Sequence, residues 1–301
     1  MQSGILAIDK PEGPSSARVV ERVKRILGAR KVGHLGTLDP FASGLLPMGV
    51  NEGTKIAQFL LAAEKSYAGA IALGIETDTQ DRTGKVLRVR PPTPLTPAVL
   101  EELRAAFTGN LRQTPPMYSA LKRAGVRLYE LARRGEWVAR EVREVTVKSL
   151  RLWQIGESEI GFEVACSKGT YVRTLAANMG EYLGCGAHLK FLRRLSCGSL
   201  TLDQAVSLEE LEQCRAKGAV PLIPLNEALR HLPAFAVAPA ALERVRKGRQ
   251  EALAGLPPAD HQRIARLLDE RGELAALIEW RAGEGRPGWR LMRVFGANEP
   301  P

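Results

Sequence analysis

Two hydrophobic periods alternate along this chain without settling into a strict strand–helix rhythm, and that most constrains its fold. Val19, Val20, Val23, Ile26 and Leu27 recur at the spacing of one helical face, with Arg18, Arg22 and Arg25 opposite. Tyr67, Gly69, Ile71 and Leu73 alternate with their neighbours instead, the period of a strand. Ile160, Phe162, Val164 and Cys166 share a face in the same way, directly after a strand candidate at about 142–154. Strands that follow strands, mixed with helices, imply an α+β fold on a mixed or antiparallel sheet rather than a doubly wound parallel one.

Local signals set the remaining boundaries. An apolar strand at 5–8 runs into the turn-rich Asp9–Pro14, after which Ser15 or Ser16 caps a helix that Gly28 stops. Residues from Gly33 to Gly49 read as a loop rich in Gly, Pro and Thr, followed by a helix over 54–64. Val86–Arg90 reads as the hairpin partner of the strand at 67–73. Pro97 behind Thr96 opens a helix with Val99, Leu103 and Phe107 along one face. Another helix starts near Thr170 with Leu175 and Met179 inward, and Ser207 with Glu210 forms a capping box. Pro221, Pro224 and Pro233 mark a boundary, beyond which 234–301 form a small second unit with a helix at 239–247 and β-like segments at 263–268, 274–280 and 289–295.

Composition narrows the function classes. At 301 residues and 45% apolar, the chain can bury one large core with a small appendage. It has no run of about 18 apolar residues and no basic leader, so it is expected in the cytoplasm, away from membranes. The net charge of +10 suits a polyanionic partner. Cys166, Cys185, Cys197 and Cys214 have no C-x-x-C spacing, and His34, His188, His231 and His261 stand apart. Neither a metal nor a redox cofactor is indicated.

The most informative segment is Gly33-His34-Leu35-Gly36-Thr37-Leu38-Asp39-Pro40-Phe41-Ala42-Ser43-Gly44-Leu45-Leu46-Pro47. It sets one carboxylate among turn formers. Gly36 and Gly44 allow close backbone approach, and Pro40 favours an extended Asp39. Such an aspartate can serve as nucleophile, base or ligand, or simply cap its own turn.

This segment resembles the catalytic motif G-H-x-G-T-L-D-P-x-A-x-G of the TruB family of pseudouridine synthases. In the same order, Leu6–Gly13, Lys65-Ser66-Tyr67 with Gly74–Asp81, Cys166–Leu175, and Leu192-Arg193-Arg194 resemble its other motifs. The resemblance covers about 1–225 and is strongest to the stand-alone bacterial branch. It implies isomerisation of uridine 55 in the T-arm of tRNA to pseudouridine, a rearrangement that needs no cofactor. Asp39 then matches the catalytic carboxylate, Tyr67 the active-site tyrosine and Arg173 its basic partner. An arginine at a helix start opposes the macrodipole, which itself hints at a role. Among substrate-binding positions, Leu192 matches the wall of the base pocket and His34 a contact to nucleotides displaced when the uridine flips out. Lys10, in the same set, would support the Asp39 loop rather than react.

The polar segment at about 111–141 resembles an RNA-gripping insertion, with Lys122, Arg123, Arg127, Arg133 and Arg134 available for phosphates. Residues 234–301 resemble, by position and size, the small PUA-type RNA-binding β-barrel of this family, with Arg244, Arg246, Lys247 and Arg249 on offer. The partner implied is tRNA, bound by a monomer with no obligate protein partner. Two alternatives stand beside this reading. One is a guide-RNA-dependent synthase subunit, and the other is a tRNA-binding chaperone that acts without catalysis.

Overall fold

The computed structural model describes residues 2–259, 262–282 and 287–296. Strand β1 (Gly4–Lys10) leads into helix α1 (Ser16–Leu27), which ends at Gly28 in the left-handed region. Strands β2 (Val32–His34) and β3 (Ser43–Val50) follow, then helix α2 (Ala57–Ala62) and strand β4 (Lys65–Leu73). A ribbon of β5 (Ile75–Thr77) and β6 (Val86–Val89) precedes α3 (Pro97–Ala106) and β7 (Gly109–Gln113). A second ribbon, β8 (Lys122–Arg123) and β9 (Val126–Arg127), carries helix α4 (Leu128–Arg133). Next come β10 (Arg143–Gly156), β11 (Glu159–Cys166), α5 (Val172–Tyr182), β12 (Ala187–Cys197), β13 (Leu200–Thr201), α6 (Leu208–Ala216) and α7 (Leu225–Ala228). The chain closes with β14 (Ala234–Ala236), α8 (Pro239–Arg246), β15 (Ile264–Leu268), β16 (Leu274–Arg281) and β17 (Gly288–Val294).

The strands form a mixed sheet in the order β1-β3-β12-β4-β11-β10-β7, with β2 on β3 and β13 on β12. All its pairings are antiparallel except β12 with β3. The period of two divides β1 cleanly. Leu6 and Ile8 face a core built with Val19 and Val23 of α1, Leu103 of α3, and Leu175 and Met179 of α5. Ile5 and Ala7 face the other way, against Leu60, Leu225, Leu229, Leu274, Leu277 and Phe295. The C-terminal strands β14-β15-β16-β17 thus form a small sheet that shares a core with the first strand. Each fully buried Leu or Ile contributes about 1.5–3 kcal/mol.

The predictions of α1, α3 and α6 hold because their end signals are local, whereas the helix read over 54–64 is α-helical only at Ala57–Ala62, behind a 3-10 segment at Asn51–Ile56. Ser15 caps α1, Thr96 caps α3, and Ser207 with Glu210 forms the predicted box before α6. Three strand readings need correction. Residues 33–49 are not one loop, since β2 and β3 occupy their two ends and only 35–42 remain irregular. Every residue of β3 is buried, so it shows no alternation to read. Val86–Arg90 does not pair with the strand at 67–73. β12 and β11 take both edges of β4, leaving β6 to pair with β5. β12 itself went unread because Lys190, Arg193 and Arg194 interrupt its apolar pattern.

The predicted insertion begins later than 111, since residues 111–113 complete β7. It carries its own small cluster of Met117, Leu128 and Leu131. In the C-terminal unit, residues 260–261, 283–286 and 297–301 lie outside the described residues, His261 among them.

Gly44 sits where β3 meets β12, at φ +100°, and a Cβ there would lie 2.3 Å from the Arg194 carbonyl oxygen. Backbone strain of about 1–3 kcal/mol and overpacking of about 1–3 kcal/mol both apply to Gly44→Ala. The expected loss is about 2–6 kcal/mol, read as a fall in the urea unfolding midpoint at unchanged slope.

Candidate active site

Asp39 lies in the 35–42 loop between β2 and β3, with its side chain 36% exposed. Its neighbours are tied down on every side. Lys10, fully buried at the end of β1, donates from Nζ to the carbonyls of Pro11 (2.8 Å), Pro40 (3.3 Å) and Ala42 (2.7 Å). The Gly13 N–H donates to the Pro40 carbonyl at 2.8 Å. Arg194, 1% exposed on β12, donates to the carbonyls of Leu45 (2.7 Å), Thr37 (3.2 Å) and Gly36 (3.1 Å). The Ser16 hydroxyl holds both backbone groups of Leu38.

Arg173, in the first turn of α5, is 4% exposed and spends its guanidinium on three partners at the same distance. Nε donates to Asp39 Oδ2, one terminal nitrogen to the Thr79 carbonyl, and the other to the Tyr118 carbonyl, each at 2.8 Å. Asp81 adds a second carboxylate, with Oδ2 3.8 Å from Nε. A cation at a helix N-terminus opposes the macrodipole, and here two carboxylates and two carbonyls offset that. The planar fork suits this task better than an ammonium, because its donors point in fixed directions. Gln113 steadies the helix start from β7, accepting from the Tyr171 N–H (3.1 Å) and donating to its carbonyl (3.3 Å).

Tyr67 stands opposite Arg194 across the β4–β12 pairing, so one arginine links the tyrosine to the Asp39 loop. Burial pushes the Tyr67 phenol up to about 12, with Arg194 opposing, so the hydroxyl stays protonated and can donate. Leu192, two residues earlier on β12, is buried in the main core opposite Gly69. His34 ends β2. Its Nδ1 is buried with no hydrogen-bond partner among the described residues, and burial, then Arg194 and Arg127, lower its pKa and keep the ring neutral.

Lys122, Arg123, Arg127, Arg133 and Arg134 are exposed on the insertion, with Arg127 close enough to His34 to act on its ring. Arg127 and Arg133 lie over the Tyr129 ring at 5.9 and 5.5 Å. The insertion still reaches the centre through its root, since Tyr118 supplies one of the carbonyls that hold Arg173. Among the described residues no cluster of His, Cys, Asp or Glu is placed to hold a metal ion, and no helix is long and apolar enough to cross a membrane.

Sequence reasoning brought Asp39, Lys10, Tyr67 and Arg173 to one place and gave no role to Ser16, Asp81, Gln113 or Arg194. Of these, Asp81 and Arg194 already stood inside quoted motifs, a signal that could have found them. For Ser16 the sequence offers only a helix cap.

Comparison with known proteins places the chain among its relatives. A family model described as TruB family pseudouridylate synthase (N terminal domain) matches residues 24–172, and one described as tRNA pseudouridylate synthase B C-terminal domain matches 173–231. The tRNA pseudouridine synthase B of Geobacter sulfurreducens is 45% identical, over 97% of this chain and 99% of its own length. That of Syntrophus aciditrophicus is 41% identical, over 97% and 98%. Among solved structures, a chain in a Cbf5–Nop10–Gar1 complex superposes with a TM-score of 0.74 at 26% identity, covering 98% of this chain and 84% of its own. A chain of an H/ACA ribonucleoprotein bound to a substrate RNA containing 2′-deoxyuridine gives 0.71 at 24% identity, over 99% and 85%, a likeness of fold alone.

Lys10 offers a direct test of the loop geometry. Burial lowers its pKa from 10.5 to about 8, against the opposing pull of Asp39 and Glu12. The folded protein therefore binds fewer protons than the unfolded chain between about pH 8 and 10.5, so this group adds stability as pH rises through that window. An NMR titration of the lysine side chains should show one group with a midpoint near pH 8 that is missing from Lys10→Arg. An ordinary midpoint for Lys10 would contradict the buried placement.

Proposed function

The chain belongs to the TruB family of pseudouridylate synthases, and from that premise we propose that it converts uridine 55 in the T-arm of tRNA to pseudouridine, with Asp39 as the catalytic carboxylate. One observation carries the reading. A buried Arg173, held by fixed carbonyls, fastens one oxygen of a partly exposed Asp39. The other oxygen is left to meet the base.

The reaction breaks the N1–C1′ bond, turns the uracil and joins C5 to C1′, while the C5 hydrogen leaves as a proton and N1, freed from the ribose, takes one up. Atoms balance without water, metal or redox partner. Asp39 supplies the oxygen that assists glycosidic cleavage, the role carboxylates fill at other glycosyl centres. Tyr67, neutral and with its phenol protonated, stacks on the uracil and donates a hydrogen bond. Leu192 walls the base, and His34 meets nucleotides displaced when the uridine leaves the stack. The exposed cations of the insertion grip phosphates.

In this reading residues 1–225 are the catalytic unit. Residues 234–301 form a PUA-type RNA-binding unit that uses the exposed Arg244, Arg246, Lys247 and Arg249. The enzyme acts in the cytoplasm as a monomer. A guide-dependent role has some support, because the Cbf5 neighbour comes from a complex with partner proteins. The relatives matched along nearly their whole length are instead named as tRNA enzymes, which favours action on tRNA without a guide.

The test is tritium release from a [5-³H]uridine-labelled tRNA transcript by the protein alone. Wild type should release tritium, with pseudouridine mapping to position 55. Asp39→Asn should release none while binding tRNA within about tenfold, or about 1.4 kcal/mol, of wild type. No release by wild type would overturn the stand-alone reading, and release by both would remove Asp39 from its role.

A further inference from the structure

Two serines stand side by side at the start of α1, and the helix uses only one of them. The Ser15 hydroxyl accepts from the Arg18 N–H at 3.3 Å and caps the first turn. Ser16 is 3% exposed and its hydroxyl points elsewhere. It donates to the Leu38 carbonyl at 2.7 Å and accepts from the Leu38 N–H at 2.9 Å. One side chain thus satisfies both backbone groups of the residue before Asp39, as a neighbouring strand would do.

The placement matters because of which peptide it fixes. The Leu38 carbonyl belongs to the peptide unit from which the Asp39 Cα hangs. Holding that oxygen sets the tilt of the unit and hence the direction of the Asp39 side chain. On the far side the Asp39 carbonyl accepts from the Ala42 N–H at 3.1 Å, and Gly13 and Lys10 hold the Pro40 carbonyl. Arg173 fastens only the carboxylate end. Without Ser16, the Leu38 N–H and carbonyl would be buried with no partner, and the peptide would tilt to relieve them.

We propose that Ser16 is a positioning residue for the isomerisation: its hydroxyl fixes the Leu38–Asp39 peptide so that Asp39 meets Arg173 with one oxygen and the substrate with the other. This rests on Asp39 being the catalytic carboxylate. A displacement of about 1 Å at a reacting group lowers a rate by about 100-fold, so a lost anchor should register in the chemical step rather than in binding.

The test is the single-turnover rate of pseudouridine formation at saturating enzyme, measured beside tRNA affinity and the urea unfolding midpoint. Ser16→Ala is expected to slow the step by about 30- to 100-fold while leaving affinity within about threefold. Two variants control for stability. Ser15→Ala removes the cap and Val23→Ala opens a cavity under the same helix, and both leave the Ser16 hydroxyl and its two bonds to Leu38 in place. Both should keep the rate within about threefold even where they unfold as easily as Ser16→Ala. Asp39→Asn runs in parallel. If it stays active, the catalytic reading fails and takes this one with it. If it is inactive while Ser16→Ala matches Ser15→Ala or Val23→Ala in rate, the proposal for Ser16 alone is overturned. A Ser16→Ala rate that falls only in step with lost tRNA affinity would overturn it as well.

Discussion

The guanidinium of Arg173 is the point at which distant pieces of the chain meet: the Asp39 loop, the Thr79–Asp81 turn, the root of the insertion at Tyr118, and α5 itself. A buried arginine is costly unless every donor is paired, and breaking one partner away from a buried ion pair costs far more than the pair is worth. That constraint runs outward through the fold. Gln80 takes φ +62° in the turn where the Thr79 carbonyl meets Arg173. Asp81 is locked by Thr79 and Thr83, so its carboxylate stays within reach. Gln113 pins the residue before α5, which keeps the helix start from shifting under the load.

The loop around Asp39 is over-determined in the same way. Two buried cations and one hydroxyl hold its backbone from three elements: Lys10 from β1, Ser16 from α1 and Arg194 from β12. The missing Cβ at Gly44 permits the β3–β12 contact that brings Arg194 there. The cations donate to carbonyls rather than to the carboxylate, so they stiffen the loop and leave the Asp39 oxygens to Arg173 and to solvent. Because Tyr118 also holds Arg173, a displacement of the insertion would be felt at the ion pair. The insertion's separate small core allows such movement without disturbing the main one.

What the sequence disclosed follows from how local each signal is. Helices α1, α3 and α6 were legible because Ser15, Thr96, Ser207 and Gly28 mark their ends within a few residues. β10 and β11 were legible because their faces differ. β3 was not, because both its faces are buried, and β12 was not, because Arg194 reads as a surface charge until its carbonyl partners are known. Asp39 on its own spacing could have been a turn cap. Only the ordered set of motifs resembling a known family singled it out. Ser16 shows the limit most clearly, since nothing in Ser15-Ser16 tells which hydroxyl serves the helix and which reaches Leu38, 22 positions on.

If Asp39 is positioned by the directional fork of Arg173 rather than by its charge, Arg173→Lys separates the two, because the ammonium keeps the charge and cannot span three partners in fixed directions. The measurement is the single-turnover rate of Arg173→Lys on a tRNA transcript, with binding followed in parallel. A fall of about 100-fold or more at near-unchanged affinity is expected. A rate within about threefold of wild type would show that a positive charge alone suffices, and would contradict the central place given to this geometry.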